Sequence, residues 1–430
     1  PPELAEWALA RLRQLSAHEV GHTIGLGHNY YDSDKGRISV LDYPHPLISL
    51  NDDGSFDYSR VYDTDIGEWD KVAIAYGYQD FPDGTDEDAA LDKILNDAWD
   101  DDILYLSNQD IGLNPRADQW SNGTDAAVEL NRMMDVRRAA LDRFGERSIK
   151  NGRPMATLEE VLVPLYMHHR FQVEAAASVI GGVHYRYTFR GDQRGLAHAA
   201  SASEQTAAVD ALMRTVQPAE LIIPESIIKL IPPRPAGSGR SRELFPRYTG
   251  SMFDVISPAT VAAAHTFSQI FRSDRAARMV EQYALDTTQP GLHGILGQTA
   301  QAVFEAQATT EYEHEVKRAV EQVYVQQLMM LASNASMPQV RAMTNNFLAG
   351  LMQRFSQSDE GTGPLGTALH AQMALDIRKH LERPAAPYTA PGTLTAPPGS
   401  PIGSEYQDWL NSPAFLEMLA PVETCSIMQF

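Results

Sequence analysis

A single cysteine, Cys425, stands in 430 residues. That excludes an internal disulfide framework and any zinc cluster built on thiolates, though it does not fix the compartment. No apolar run approaches the roughly 20 residues that a membrane-spanning helix needs. Basic residues are scarce as well: Lys and Arg number 35 against 56 Asp and Glu, for a formal net charge of −21. Such a field repels phosphate, which argues against nucleic acid as a main partner. The start, Pro1-Pro2-Glu3, has no initiator Met, no basic n-region and no apolar h-region. It reads as a processed or cut start, with any export signal upstream. There is no P-loop, no dinucleotide fingerprint and no repeat of fixed period. What remains is an ordinary globular composition, 43% hydrophobic and 21% charged. The length suggests about two or three domains, and burial of about three quarters of the unfolded surface needs no staples at this size.

Helical periodicity dominates. Between Pro2 and Leu26, the residues Leu4, Trp7, Ala8, Leu12, Leu15 and Ile24 recur at spacings that mostly fit one helical face. Pro2 suits a first turn, Glu3 and Glu6 favour the positive end of the helix dipole, and Gly25 is a natural stop. Residues Asn29 to Asp63 read as loop with short extended pieces, being rich in Tyr, Asp, Asn, Pro and Gly. A second helix is predicted from Ile66 to Tyr76, with Asp65 and Glu68 as capping and dipole partners at its start. The acidic stretch 80–102 reads as a solvated loop followed by a helix face. Helices are predicted over 124–145, 157–180 and 202–216, with a break at Gly181-Gly182. HYRYTFRG (184–191) alternates like a strand or hairpin arm.

The Pro/Gly/Ser-rich run IPPRPAGSGRS (231–241) forms a connection and a boundary. Helical patterns resume over 257–285, 292–308, 310–333, 337–356 and 364–382. Within them Val316, Val320, Val323, Gln327 and Leu331 form a core-facing stripe. Residues 384–402 are Pro-rich and extended, and a short final helix near 404–419 follows. The pattern divides the chain into 1–80, 81–235, 236–385 and 386–430.

Chemistry concentrates in residues 18–28, His-Glu-Val-Gly-His-Thr-Ile-Gly-Leu-Gly-His. His18 and His22, four apart, share one helix face and can grip one ion. Glu19 can reach a water on that ion without being a ligand. Gly25 ends the helix and lets the chain turn, which can return His28 to the same ion. Three neutral imidazoles with a fourth position open make a catalytic zinc (Zn2+) arrangement, whereas a structural site is closed by four protein ligands. Zinc lowers the pKa of a bound water to about 7. Glu19 can then take the proton of that water and pass it to a leaving amine. The competing reading is three satisfied surface histidines at a helix end.

This run, HExxHxxGxxH, resembles the metzincin clan of zinc metallopeptidases. The flanking segments SAHEVGHTIGLGHNYYDS, SVLDYP and DIGEWDKVAIAYGY resemble more closely the large bacterial met-zincin-like proteases, mostly predicted to be exported. Weaker likeness continues through NPRADQWSNGTD, YMHHRFQ and IGG, to about residue 250. The resemblance implies a turn below the metal in which Met precedes Tyr by two. Here Leu41 stands in the place of that Met, and a Leu of similar volume should be tolerated. Tyr43 matches a Tyr that in some branches lies near the metal and donates to the oxyanion; a tyrosine packed in a Pro-terminated turn is the other reading. The clan also places a twisted sheet before the active-site helix, and only 17 residues precede His18. The expectation is therefore a C-terminal fragment of a longer protease, inactive or nearly so alone.

Other clusters carry less. His168 and His169 point to different helix faces and read as a packed pair. His314-Glu315 opens like the zinc motif but meets Arg318, and reads as a solvated helix face. Asn51 to Asp57 reads as an Asp-Gly turn rather than a calcium loop, lacking the closing Glu.

The expected fold is mainly α with little β: the lower, C-terminal half of a metzincin catalytic domain followed by a long helical region. The expected function is zinc-dependent endopeptidase, exported to the periplasm, secreted or at the cell surface. His18, His22 and His28 would be metal ligands, Glu19 the general base and Tyr43 an assistant. Its partners would be a protein or peptide substrate and the upstream part of the same precursor. The rival is a non-enzymatic helical scaffold supporting an upstream protease half.

Overall fold

Helix α1 (Pro2–Thr23) carries the histidine motif and stops where glycine permits. Gly25 takes φ +87°, a conformation costly to any residue with a Cβ. Its N–H donates to the His22 carbonyl at 3.1 Å and that of Leu26 to the Gly21 carbonyl at 3.0 Å, the paired bonds of a Schellman stop. The computed structural model describes residues 2–383, apart from 44–45, 121, 193–194 and 358–362. The Pro-rich segment and the final helix expected after residue 384 lie outside the described residues.

After α1 the chain is loop and turn, as composition predicts. It includes one small hairpin, β1 (Ser49–Leu50) antiparallel to β2 (Phe56–Asp57). The Asn51–Asp57 stretch is the turn and second arm of this hairpin; Gly54 sits at φ +77°, and Asn51 N–H donates to the Ser55 carbonyl at 2.8 Å. Then come α2 (Glu68–Tyr78) and α3 (Glu87–Asp100). The acidic run thus resolves into loop and helix, with Asp86 capping α3 through Ala89 N–H at 3.2 Å. A small core made of Tyr31, Ile38, Leu104, Leu106 and Ala117, with Trp69 and Trp99 against it, holds this region together.

The rest is a helical body. It comprises α4 (Ala126–Asp142), α5 (Leu158–Tyr166), α6 (Arg170–Val179), α7 (Ala202–Thr215) and the single turns α8 (Pro218–Leu221) and α9 (Glu225–Ile228). It continues through α10 (Ser257–Ile270), α11 (Ser273–Leu285), α12 (Gly291–Phe304), α13 (Glu311–Asn334), α14 (Pro338–Ser356) and α15 (Gly363–Glu382). The chain is mainly helical, with little strand. None of the described helices is long and apolar enough to cross a membrane.

Two expected helices are each broken in two. The 157–180 pattern divides at Met167–His169, where Arg137 Nε takes the Tyr166 carbonyl at 2.6 Å and Arg170 Nε takes that of Met167 at 3.0 Å. Guanidinium groups there satisfy carbonyls that a continuing helix would need. The 257–285 pattern divides at Phe271–Arg272, where Arg275 captures the Gln269 carbonyl. The alternating 184–191 segment pairs only at its first residue: β3 (Val183–His184) runs antiparallel to β4 (His198–Ala199).

One hydrophobic core draws residues from Ala127 to Ile377. The predicted α13 stripe lies inside it, with Val316, Val320, Val323, Gln327 and Leu331 all buried. Thr310 and Glu313 close a capping box at the start of α13. The 231–241 connection is pinned by the buried carboxylate of Glu159, which receives Arg240 at 3.1 Å and also Arg247.

Candidate metal centre

Helical spacing sets His18 above His22, and the Schellman stop swings His28 back toward them. His22 Nε2 lies 3.0 Å from His18 Nε2 and 3.2 Å from His28 Nε2. The three potential ligand atoms all lie within 4.8 Å of one another. The other ring nitrogens decide what these contacts are. His18 Nδ1 donates to the Val40 carbonyl at 2.7 Å, and His22 Nδ1 to the Leu26 carbonyl at 2.9 Å. Nδ1 therefore carries the proton in the neutral form of both rings, which leaves each Nε2 lone pair facing the other histidines. A divalent cation bound by all three rings would hold such lone pairs together. At zinc–nitrogen bonds of about 2.05 Å, tetrahedral ligands sit about 3.3 Å apart, close to the spacing here. The residues present therefore fit zinc. Among the described residues no fourth His, Cys, Asp or Glu joins the group.

Protonation favours the same state. Burial lowers the pKa of His18. Burial, and then the neighbouring His18 and His22 rings, push His28 down to about 4. Neutral imidazole is the metal-binding form. Glu19 is exposed on α1, near enough for its charge to act on both His18 and His28. Tyr43 places its hydroxyl 2.8 Å from His28 Nε2. Its ring rests on Trp120 at 5.6 Å, which in turn rests on Phe171 at 4.7 Å.

The floor comes from the 38–43 turn. Leu41 is fully buried and lies against Gly21, where a Cβ would stand 2.7 Å from Leu41 Cδ2. Gly21 of the motif thus lets a large aliphatic side chain underpin the helix. The Leu41 carbonyl accepts from Asn29 N–H at 3.0 Å. The buried Asn29 side chain ties the segment after His28 to Leu104 and Leu106 at 2.9 and 3.1 Å. Asp70, 1% exposed, accepts from Ser39 Oγ at 2.7 Å, Val40 N–H at 2.8 Å and Gly67 N–H at 2.7 Å.

All five residues singled out from the sequence thus meet in one place. Asn29, Ser39 and Asp70 were missed. For Asp70 a signal existed: an acidic residue at the third position of a helix is a capping pattern. Capping of α2 falls to Asp70 rather than to Asp65, while Glu68 does lie in the first turn. His169 is buried and His168 half-buried, and neither joins a ligand group among the described residues.

Three converging imidazoles beside a carboxylate are the donor set that metal-dependent hydrolases use. Residues 1–311 match the family model described as Met-zincin, well over half of the chain. The chain belongs to that family, of metzincin-type zinc metallopeptidases, and the match reaches past residue 250, where the likeness read from the sequence ends. No curated protein and no solved structure matches the chain.

Proposed function

We propose that this chain carries the catalytic half-site of a zinc-dependent endopeptidase. One observation carries the reading: three Nε2 atoms converge, at 3.0 and 3.2 Å, and in two of the rings the opposite nitrogen donates to a backbone carbonyl. His18, His22 and His28 would hold zinc, which when bound supplies an acidified water and a Lewis acid for the scissile carbonyl. Glu19 accepts the proton of the attacking water and delivers it to the leaving amine, so no covalent intermediate is needed. The Tyr43 hydroxyl, at the rim of the histidine group, donates to the carbonyl oxygen as it gains charge. Asn29, Leu41 and the 38–43 turn hold these groups in place.

The substrate is an extended protein or peptide, and the enzyme acts in the periplasm, at the cell surface or secreted. The upstream part of the same precursor would complete the cleft. The outer face of α1 supports this: Leu9, Leu12 and Val20 are 51%, 56% and 58% exposed, an apolar stripe on a helix that ought to be covered. This chain alone would then cleave little. The same stripe supports the rival, a helical scaffold for a separate protease half.

The two readings separate by measuring zinc per chain and casein hydrolysis, for this chain and a version extended upstream, each with and without Glu19→Ala. The extended wild type should cleave, and Glu19→Ala should lose at least about 100-fold while retaining zinc. An extended protein that cleaves nothing, or a Glu19→Ala variant that cleaves equally well, refutes the protease reading.

A further inference from the structure

We infer that Ser39 and Asp70 are positioning residues for His18, acting through one peptide unit; this rests on the metal-binding reading above. The Val40–Leu41 peptide accepts at its carbonyl from His18 Nδ1–H at 2.7 Å. The N–H of that same peptide, on Leu41, donates to Ser39 Oγ at 2.9 Å. The Ser39 hydroxyl donates to Asp70 Oδ1 at 2.7 Å. Every donor in this series points the same way, from the imidazole to the carboxylate. Hydrogen bonds in such a series polarise one another, the more so out of water.

Ser39 and Asp70 are 6% and 1% exposed, so the series runs in the interior. Asp70 Oδ2 accepts from Val40 N–H and Gly67 N–H, so the carboxylate receives three donors in all. Burial raises the Asp70 carboxyl above the usual carboxylate range, and the three donors aimed at it oppose that rise and favour its ionised form. A carboxylate bonded directly to a metal-binding histidine fixes its tautomer and raises the basicity of its other nitrogen. Here the same influence reaches His18 through a hydroxyl and a peptide. It holds Nδ1 protonated and aims the Nε2 lone pair at the other two histidines.

A bland alternative assigns Asp70 only to capping α2 through Gly67 and bracing Val40. In that case the Ser39 hydroxyl is incidental. Ser39→Ala decides between them, because it cuts the series while leaving both Asp70 Oδ2 bonds in place. The full chain is used as wild type, Ser39→Ala and Asp70→Asn. Zinc affinity is read by competition with a chromogenic chelator. Cobalt(II) absorption reads ligand geometry, and circular dichroism of the metal-free protein reads the fold. Ser39→Ala should keep its metal-free helix content, bind zinc about 10-fold more weakly and shift the cobalt bands; Asp70→Asn should lose about 10–100-fold.

Wild-type affinity and cobalt bands in Ser39→Ala overturn the relay while leaving the metal site standing. A fall in affinity matched by lost metal-free helix marks a merely structural role and overturns it as well. Wild-type protein that takes up no zinc overturns the relay together with the site. Should Asp70→Asn fail to fold, Ser39→Ala alone decides.

Discussion

Replacing Leu41 with alanine should loosen the metal site while leaving the helical body intact. Leu41 has no exposed surface and lies directly under α1. The substitution removes three carbons. At about 0.8 kcal/mol for each buried carbon, transfer alone costs about 2.4 kcal/mol. The cavity adds to this, because the facing residue is Gly21, which has no side chain to collapse into the space. A total of about 3–4 kcal/mol follows, inside the usual range for such truncations. Global melting would hide the loss, since the site rests on its own small core, separate from the large core of Ala127 to Ile377. Hydrogen exchange of the α1 amides from His18 to Leu26 reads it directly, and should quicken by about two to three orders of magnitude. The cavity argument makes a sharper claim. Gly21→Ala alone drives a Cβ to 2.7 Å from Leu41 Cδ2 and should also destabilise α1, yet in the Leu41→Ala background the new methyl enters vacated space. The double variant should therefore exchange more slowly than the sum of the singles requires. Leu41→Met should cost less than about 1.5 kcal/mol. Unchanged exchange in Leu41→Ala, or strict additivity in the pair, would show that Leu41 is not the floor of this site.

Two further tests address the helical body. Burial pushes His168 down to about 4, so it is neutral in the fold while the unfolded chain protonates below about 6.5. Its contribution to stability is thus complete above pH 6.5 and is lost toward pH 4, at about 1.4 kcal/mol per pH unit. His168→Gln should make the fall in urea midpoint between pH 6.5 and 4.5 shallower than in wild type; parallel profiles would contradict the assignment. The Glu159 carboxylate is 1% exposed and neutralises Arg240 and Arg247. Glu159→Gln leaves guanidinium charge without a counter-ion and should cost about 3–5 kcal/mol in urea unfolding at pH 7. A cost below about 1 kcal/mol would mean that water or other carbonyls carry those charges.

Local periodicity made much of this legible. A spacing of four puts His18 and His22 on one face of any helix, and Gly25 stops that helix whatever surrounds it, so the triad could be read from eleven residues. The α13 stripe was legible for the same reason, because 3.6 residues per turn is a property of the backbone. The helix breaks at Met167–His169 and Phe271–Arg272 were not, since they depend on which carbonyl a guanidinium reaches once helices have packed. Arg137 is far in sequence from the Tyr166 carbonyl it captures.

The same division runs through the metal centre. The sequence by itself determined which imidazoles can share an ion, because their spacing acts through one helix and one turn. Only the tertiary structure decided how those rings are held. The carbonyl that orients His18 comes from Val40, the floor from Leu41, and the carboxylate behind them from Asp70 on another helix. Such partners are chosen by long-range packing, and no periodicity in the chain records a bond formed between segments that meet only on folding.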